Sequence, residues 1–282
     1  MKRFSYILLT LSAALLIGCL PEPIELTGIP KLKPKIAVSS HLLPNEGLVV
    51  LLTKSFGALE ADDNSDPEEL LDQIAVTDAV VIIKNLTRTD TLINLQTGFY
   101  GGVDIPFTAG DVVDLMVISE SLGTVQAQTE VQKFVDFEII EADLSFNGFD
   151  DTLVQVTYEA FDPLGPDQYL ITVQRIKQKR ILENLLDSYA FVKLESDDSF
   201  DGQNFGETFR AFPRDYQPGD TVAVTLSRIS AEYFEYLTLQ RDNRFTWTQF
   251  LGEPVNYGSN VQGGLGHFNL NQPAVRLFVL EE

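Results

Sequence analysis

Apolar runs of Val, Ile, Leu and Thr, each broken by Gly, Asn, Asp or Pro, recur along the chain from residue 36 onward. They predict a protein made mainly of short β-strands. In the first half the runs are Ile36–Leu43, Leu48–Lys54, Ala79–Lys84, Thr91–Gln96, Val112–Ser119 and Val125–Val131, the pattern expected of a β-sandwich. Asp136 to Leu144 is acidic and carries no turn punctuation, so a domain boundary is placed beside it, near residue 135. Beyond it, apolar residues alternate with polar ones at Val154, Val156 and Tyr158, at Tyr169, Ile171 and Val173, at Val222, Val224 and Leu226, and at Val275, Leu277 and Val279. Each set gives a strand one apolar face. Pro163, Gly165 and Pro166, and then Pro218 and Gly219, mark turns between them.

Two stretches have helical spacing instead. Asp66 as N-cap, Pro67 at the first helical position and Glu69 two residues later lead into Leu70, Leu71 and Ile74. Ser230 precedes Ala231, with Tyr233, Phe234 and Leu237 on one side, and predicts a capped helix over 231–241. Ile181, Leu182, Leu185 and Leu186 fit either a short helix or part of a long hairpin. The fold class read from the pattern is therefore mainly β, an N-terminal Ig-like sandwich over 36–135 followed by a second β-rich domain over 136–282 with one or two short helices.

The first residues follow a different rule. Lys2 and Arg3 precede the largely apolar run Ile7 to Ile17, which ends at Leu16, Ile17, Gly18 and Cys19. A charged start, a short apolar stretch and a small residue before the cut describe a secretory signal, too short for a lasting membrane span. Cys19 is the single cysteine and stands where a lipoprotein signal places its lipidated thiol. The expected organisation is thus a signal peptide over 1–18 and a lipidated tether over 19–35, with four prolines between Leu20 and Pro34 keeping the tether extended. Glu22 and Glu25 just after the lipid site resemble an export tag to the outer face of the outer membrane.

Charge narrows the partners. The chain has 41 acidic and 20 basic residues, and loss of Lys2 and Arg3 with the signal takes its formal charge from −21 to −23. A field of that sign repels phosphate backbones, so no nucleic acid partner is expected. With 44% hydrophobic residues the chain can fill real cores.

Familiar short motifs stand in both halves. Ala79 to Ile82, then Thr97-Gly98-Phe99-Tyr100, then Gly110-Asp111 resemble a transthyretin-like or carboxypeptidase-regulatory sandwich. Phe200-Asp201-Gly202, Glu235-Tyr236-Leu237, Glu253-Pro254-Val255 and, above all, Ser259-Asn260-Val261-Gln262-Gly263-Gly264-Leu265-Gly266-His267-Phe268 resemble the closing motif of a Bacteroidota outer-membrane lipoprotein family catalogued as a domain of unknown function. The likeness runs from the lipid site to the C-terminus, and His267 departs from the aromatic or aliphatic residue expected there. Members of that family are commonly encoded beside TonB-dependent receptors. The resemblance implies a lipid-anchored protein facing the cell exterior that works as a non-enzymatic accessory or ligand-binding partner of a TonB-dependent outer-membrane transporter. The rival expectations are a surface adhesion module without a transporter and a carboxylate-based hydrolase.

Candidate chemistry is sparse. The two histidines, His41 and His267, share no zinc-like spacing, and the sequence has neither a Gly-x-Ser-x-Gly elbow nor a phosphate-cradling loop. No enzyme and no cofactor beyond the covalent lipid are expected. Asp197, Ser199 and Asp201 with Gly202 follow the opening of a calcium loop, but position 12 is Thr208 where a bidentate Glu belongs. Thr91, Thr152 and Thr221 each sit in an Asp-Thr-aliphatic triplet that resembles an O-glycosylation acceptor. Gly263, Gly264 and Gly266 permit either a tight structural turn or a loop presenting Asn260, Gln262 and His267 to a partner, and the turn is preferred. Trp247 and Phe250 are the expected aromatic anchors of a partner contact, on the loop from Arg241 to Tyr257.

Overall fold

The computed structural model describes residues 33–43, 47–56, 67–102, 107–146, 152–177, 190–212, 215–243 and 257–281, with 180, 184, 185 and 187 between them. Cys19, Asp66, Trp247 and Phe250 lie outside the described residues. Residues 34–282 gather into one compact unit.

The strands in chain order are β1 (Ile36–Leu42), β2 (Leu48–Lys54), β3 (Ala79–Lys84), β4 (Thr89–Thr91), β5 (Ile93–Gln96), β6 (Phe99–Gly102), β7 (Val112–Ser119), β8 (Gly123–Glu130) and β9 (Phe137–Phe146). They continue as β10 (Thr152–Phe161), β11 (Gln168–Arg175), β12 (Phe191–Ser196), β13 (Asn204–Ala211), β14 (Thr221–Ile229), β15 (Val261–Gln262), β16 (Leu265–His267) and β17 (Ala274–Val279). The molecule is mainly β, as its apolar pattern predicts, with α-helices at Pro67–Ile74 and Ala231–Asn243 among the described residues.

Two sandwiches result. In the first, the sheets are ordered β16-β1-β2-β6-β5 and β15-β8-β7-β3-β4. Without β15 and β16 this is the strand order of an immunoglobulin-type Greek key. Its core contains Ile36, Val38, Val50 and Leu52 from one sheet and Val81, Ile83, Val113, Leu115 and Val117 from the other. The second sandwich sets β13-β10-β9 against β12-β11-β14-β17, with Val154, Val156 and Tyr158 packed with Tyr169, Ile171, Val173, Val222, Val224 and Leu226. The alternation in these three strands points inward as expected. In β17 the phase is reversed: Leu277 and Val279 are exposed while Ala274 is buried.

The cores change over between Val131 and Val135, but the chain returns. Val261, Phe268 and Leu270, expected within the second domain, belong to the first core. The connection from β14 to β17 crosses back, pairs β15 antiparallel with β8 and β16 parallel with β1, and then re-enters the second sandwich. One hairpin thus covers an edge of each sheet of the first sandwich, where open ladder groups would otherwise face solvent.

Several elements differ from the sequence reading. The run Thr91–Gln96 divides into β4 and β5, and β6 follows a turn in which Gln96, Thr97 and Gly98 all have positive φ. The acidic passage at 136–144 is β9, a ten-residue strand whose alternation is masked because its outward positions carry Glu138 and Glu141 beside the exposed Ile139. The helix at 231 starts as predicted: the Ser230 hydroxyl accepts the Tyr233 N–H at 3.2 Å, and the Ser230 carbonyl accepts that of Phe234 at 2.9 Å.

Candidate functional site

The site grows from two turns at one end of the second sandwich. After β10, Asp162-Pro163-Leu164-Gly165-Pro166-Asp167 cannot continue a strand, since its prolines lack the donor a ladder needs. Between β12 and β13 the chain makes one 3₁₀ turn at Asp197–Ser199 and reverses through Gly202, which has φ of 71°. Carboxylates pin the two turns together. Asp162, fully buried, accepts the Tyr169 hydroxyl and the Gly202 N–H, the latter at 2.9 Å. Asp197 accepts the Asp167 N–H at 2.7 Å, and Asp201 accepts the Gly165 N–H at 2.9 Å.

One oxygen from each of Asp162, Asp197 and Asp201 lies within 4.8 Å of the others. Asp197 and Asp201 of the predicted calcium loop are therefore brought together, and Asp162 joins them from a different turn. Calcium takes six to eight oxygens, and each of these three carboxylates already accepts a backbone N–H. Those bonds cross-brace the two loops.

Beside this network Asp167 is buried, and its Oδ1 is ion-paired with the Arg228 guanidinium at the end of β14. Its Oδ2 has no hydrogen-bond donor among the described residues. Burial pushes the Asp167 carboxyl above its ordinary range, Arg228 opposes that shift, and the neighbouring Asp162 and Asp197 add to it. Burial also raises the Tyr169 hydroxyl, as does its bond to Asp162, so the phenol stays protonated and donating.

Arg228 is also a wall of a cleft of about 360 Å³ where the linker between the sandwiches meets the second one. Lys133, Phe134, Phe161, Pro163 and Tyr169 are among the other residues that line it. Phe134 is 51% exposed and Phe161 50%, and Leu164 on the adjoining turn is 85% exposed. The linker is held in place by Asp136, whose two carboxylate oxygens accept the Arg276 guanidinium at 2.8 and 2.9 Å. The cleft offers apolar rings on a braced polar frame, which is the composition of a recognition surface.

Other predicted residues fall elsewhere. Asn260 grips Phe268 through both backbone groups, accepting its N–H at 2.9 Å and donating to its carbonyl at 2.7 Å. Gln262 pairs with Gln126 and is exposed. His267 is buried against Tyr233 and Tyr236. Thr91 is exposed, whereas the Thr152 hydroxyl donates to the Tyr216 carbonyl and Thr221 is half-buried. The residues that sequence reasoning missed are Asp162, Asp167, Tyr169 and Arg228. Asp167 and Arg228 come from different turns and strands, and Asp162 reaches both Tyr169 and Gly202, so no local motif marks the group.

No functionally curated protein matches the chain. Among solved structures, the selenomethionine-substituted interferon gamma receptor alpha chain of chicken is similar at 12% identity, over 70% of this chain and 90% of that one, with a TM-score of 0.19. The family described as "Domain of unknown function (DUF4249)" matches residues 22–274. That span contains both sandwiches up to the first residue of β17, together with the acidic turns and the closing glycine motif, and the chain accordingly belongs to the DUF4249 family.

Proposed function

We propose that this is a Bacteroidota outer-membrane lipoprotein, anchored through lipid on Cys19 and facing the cell exterior, which serves as a non-enzymatic binding partner of a TonB-dependent transporter. The anchor rests on Lys2, Arg3, the apolar run to Ile17 and the Gly18-Cys19 junction. The transporter rests on the family resemblance. The structural observation that favours binding is the cleft at residues 133–138 and 161–163, with Phe134 and Phe161 each about half exposed beside Leu164. Aromatic anchors on a rigid frame are what a stable contact of roughly 1,200 to 2,000 Å² requires. The nearby carboxylates favour the same reading, because each of them already accepts a loop N–H group.

The test is a mild-detergent pull-down from native membranes through a C-terminal tag. Recovery of a large β-barrel receptor, lost in Phe134→Ala/Phe161→Ala while circular dichroism stays unchanged, is the expected result. Recovery of the protein alone under crosslinking overturns the transporter reading and puts adhesion first. A Cys19→Ala variant that partitions with membranes as wild type does overturns the anchor.

A further inference from the structure

We propose that the closing hairpin, residues 261–270, is a mechanical clamp that holds the anchored end of the fold against pulling; the direction of the pull rests on the lipid-anchor reading above. β1 is the first strand after the tether, so force from the membrane enters the fold at Ile36. β1 is gripped on both sides. On one side it pairs antiparallel with β2 over seven residues, from Ile36 opposite Lys54 to Leu42 opposite Leu48. On the other, β16 runs parallel to it, with Ala37 opposite Leu265, Val38 opposite Gly266 and Ser39 opposite His267.

The parallel arrangement decides how load is shared. β1 is pulled from its N-terminal end, whereas β16 leads from its C-terminal end through Phe268–Pro273 into β17 of the second sandwich. Two parallel strands pulled from opposite ends slide along each other, and all their cross-strand bonds must yield together. Peeling would break the same bonds one at a time at lower force. The slide is blocked further on. The Ser40 hydroxyl donates to the Asn269 carbonyl at 2.7 Å and accepts its N–H at 2.9 Å, both buried. The next residue, Leu270, bridges to Val131 at the end of β8, and its carbonyl accepts the Gln132 N–H at 2.9 Å. The hairpin therefore ties β1, the end of β8 and the second sandwich at one point.

The glycines make this contact close. A Cβ on Gly266 would stand 2.1 Å from the Val38 carbonyl oxygen, and one on Gly264 2.7 Å from that of Ile36. Gly266 also has φ of 84°. Any side chain there forces β16 away from β1. The closing glycine motif is, on this account, a fitting for the strand that takes the load.

Single-molecule pulling tests the clamp, using the full chain with Cys19→Ser and handles on Lys33→Cys and Glu281→Cys. These handles bypass the lipid, so failure of the clamp and failure of the anchor are read separately. Gly266→Ala is expected to lower the first rupture force to about half, because forced unfolding follows the barrier that the loaded bonds set. Gly123→Ala serves as control: it is a positive-φ glycine with nothing within 4 Å of the added Cβ, at the turn between β7 and β8. It is expected to leave that force unchanged. Ser40→Ala, which removes only the grip on Asn269, should lower the force even if Gly266→Ala does not fold. Equal rupture forces in wild type, Gly123→Ala and Ser40→Ala overturn the proposal, as does a loss in Gly123→Ala equal to that in Ser40→Ala.

Discussion

His267 packs against both Tyr233 and Tyr236 of the second helix, its ring centroid 5.1 Å from one and 5.5 Å from the other. Its Nδ1 is buried and has no hydrogen-bond partner among the described residues. Burial holds this imidazole below its ordinary value, with Glu232 and the Phe268 backbone opposing the shift. His41 on β1 is lowered by burial as well. A base that binds its proton more weakly when folded contributes stability that is complete above the unfolded value of about 6.5 and is lost as pH falls through it. The midpoint of chemical unfolding should therefore drop between pH 7 and pH 5. His267→Phe should flatten part of that slope, and His41→Gln/His267→Phe more of it; a slope unchanged in the double variant refutes the assignment.

Gly266 and Gly123 offer a second test. Both have positive φ, 84° and 89°, but the Cβ added at Gly123 meets nothing within 4 Å. Gly123→Ala should cost only the left-handed backbone penalty of roughly 1 to 2 kcal/mol. Gly266→Ala should cost about 2 kcal/mol more, since it adds a collision with the Val38 carbonyl that a packed sheet edge cannot absorb. Equal losses in urea titrations would show that β16 yields freely.

Removing the charge on Arg228 should leave Asp167 as a buried, unpaired carboxylate. Arg228→Met is expected to destabilise the protein by about 3 to 5 kcal/mol. Asp167→Asn in the same chain should recover most of that, because the buried charge is then gone. If the double variant is no more stable than Arg228→Met, the ion pair is not what holds this wall of the cleft.

The three clustered carboxylates should behave as loop braces. Asp197→Ala and Asp162→Ala are expected to lose roughly 1 to 3 kcal/mol each through unsatisfied buried N–H groups, with calcium absent. Addition of millimolar calcium to the wild type should leave its unfolding midpoint where it was. A rise of several degrees that vanishes in Asp201→Ala would instead identify a cation site.

What the sequence made legible was mostly what lies within one strand or one cap. The alternating Val154, Val156 and Tyr158, or Val222, Val224 and Leu226, announce strands because side-chain direction repeats every two residues, and Ser230 announces a helix because its cap is three residues long. β9 stayed hidden because acidic residues occupy its outward positions, and β6 because only Thr97 and Gly98 separate it from β5. The site was less legible than the fold. Asp162 and Gly202 are 40 residues apart, and Asp136 and Arg276 are 140 apart. The glycine motif could be read as a tight structural turn, but not as one that closes the other sandwich. Pairing of Val38 with Gly266 is a choice made by tertiary packing, and nothing near either residue encodes it.

The return of the chain at residues 261–270 also sets a timetable for biogenesis. β8 leaves the ribosome long before β15, and β1 before β16, with nearly the whole of the second sandwich made in between. Until then the first sandwich has all its Greek-key strands but two uncovered flanks, the kind of half-finished sheet that invites aggregation.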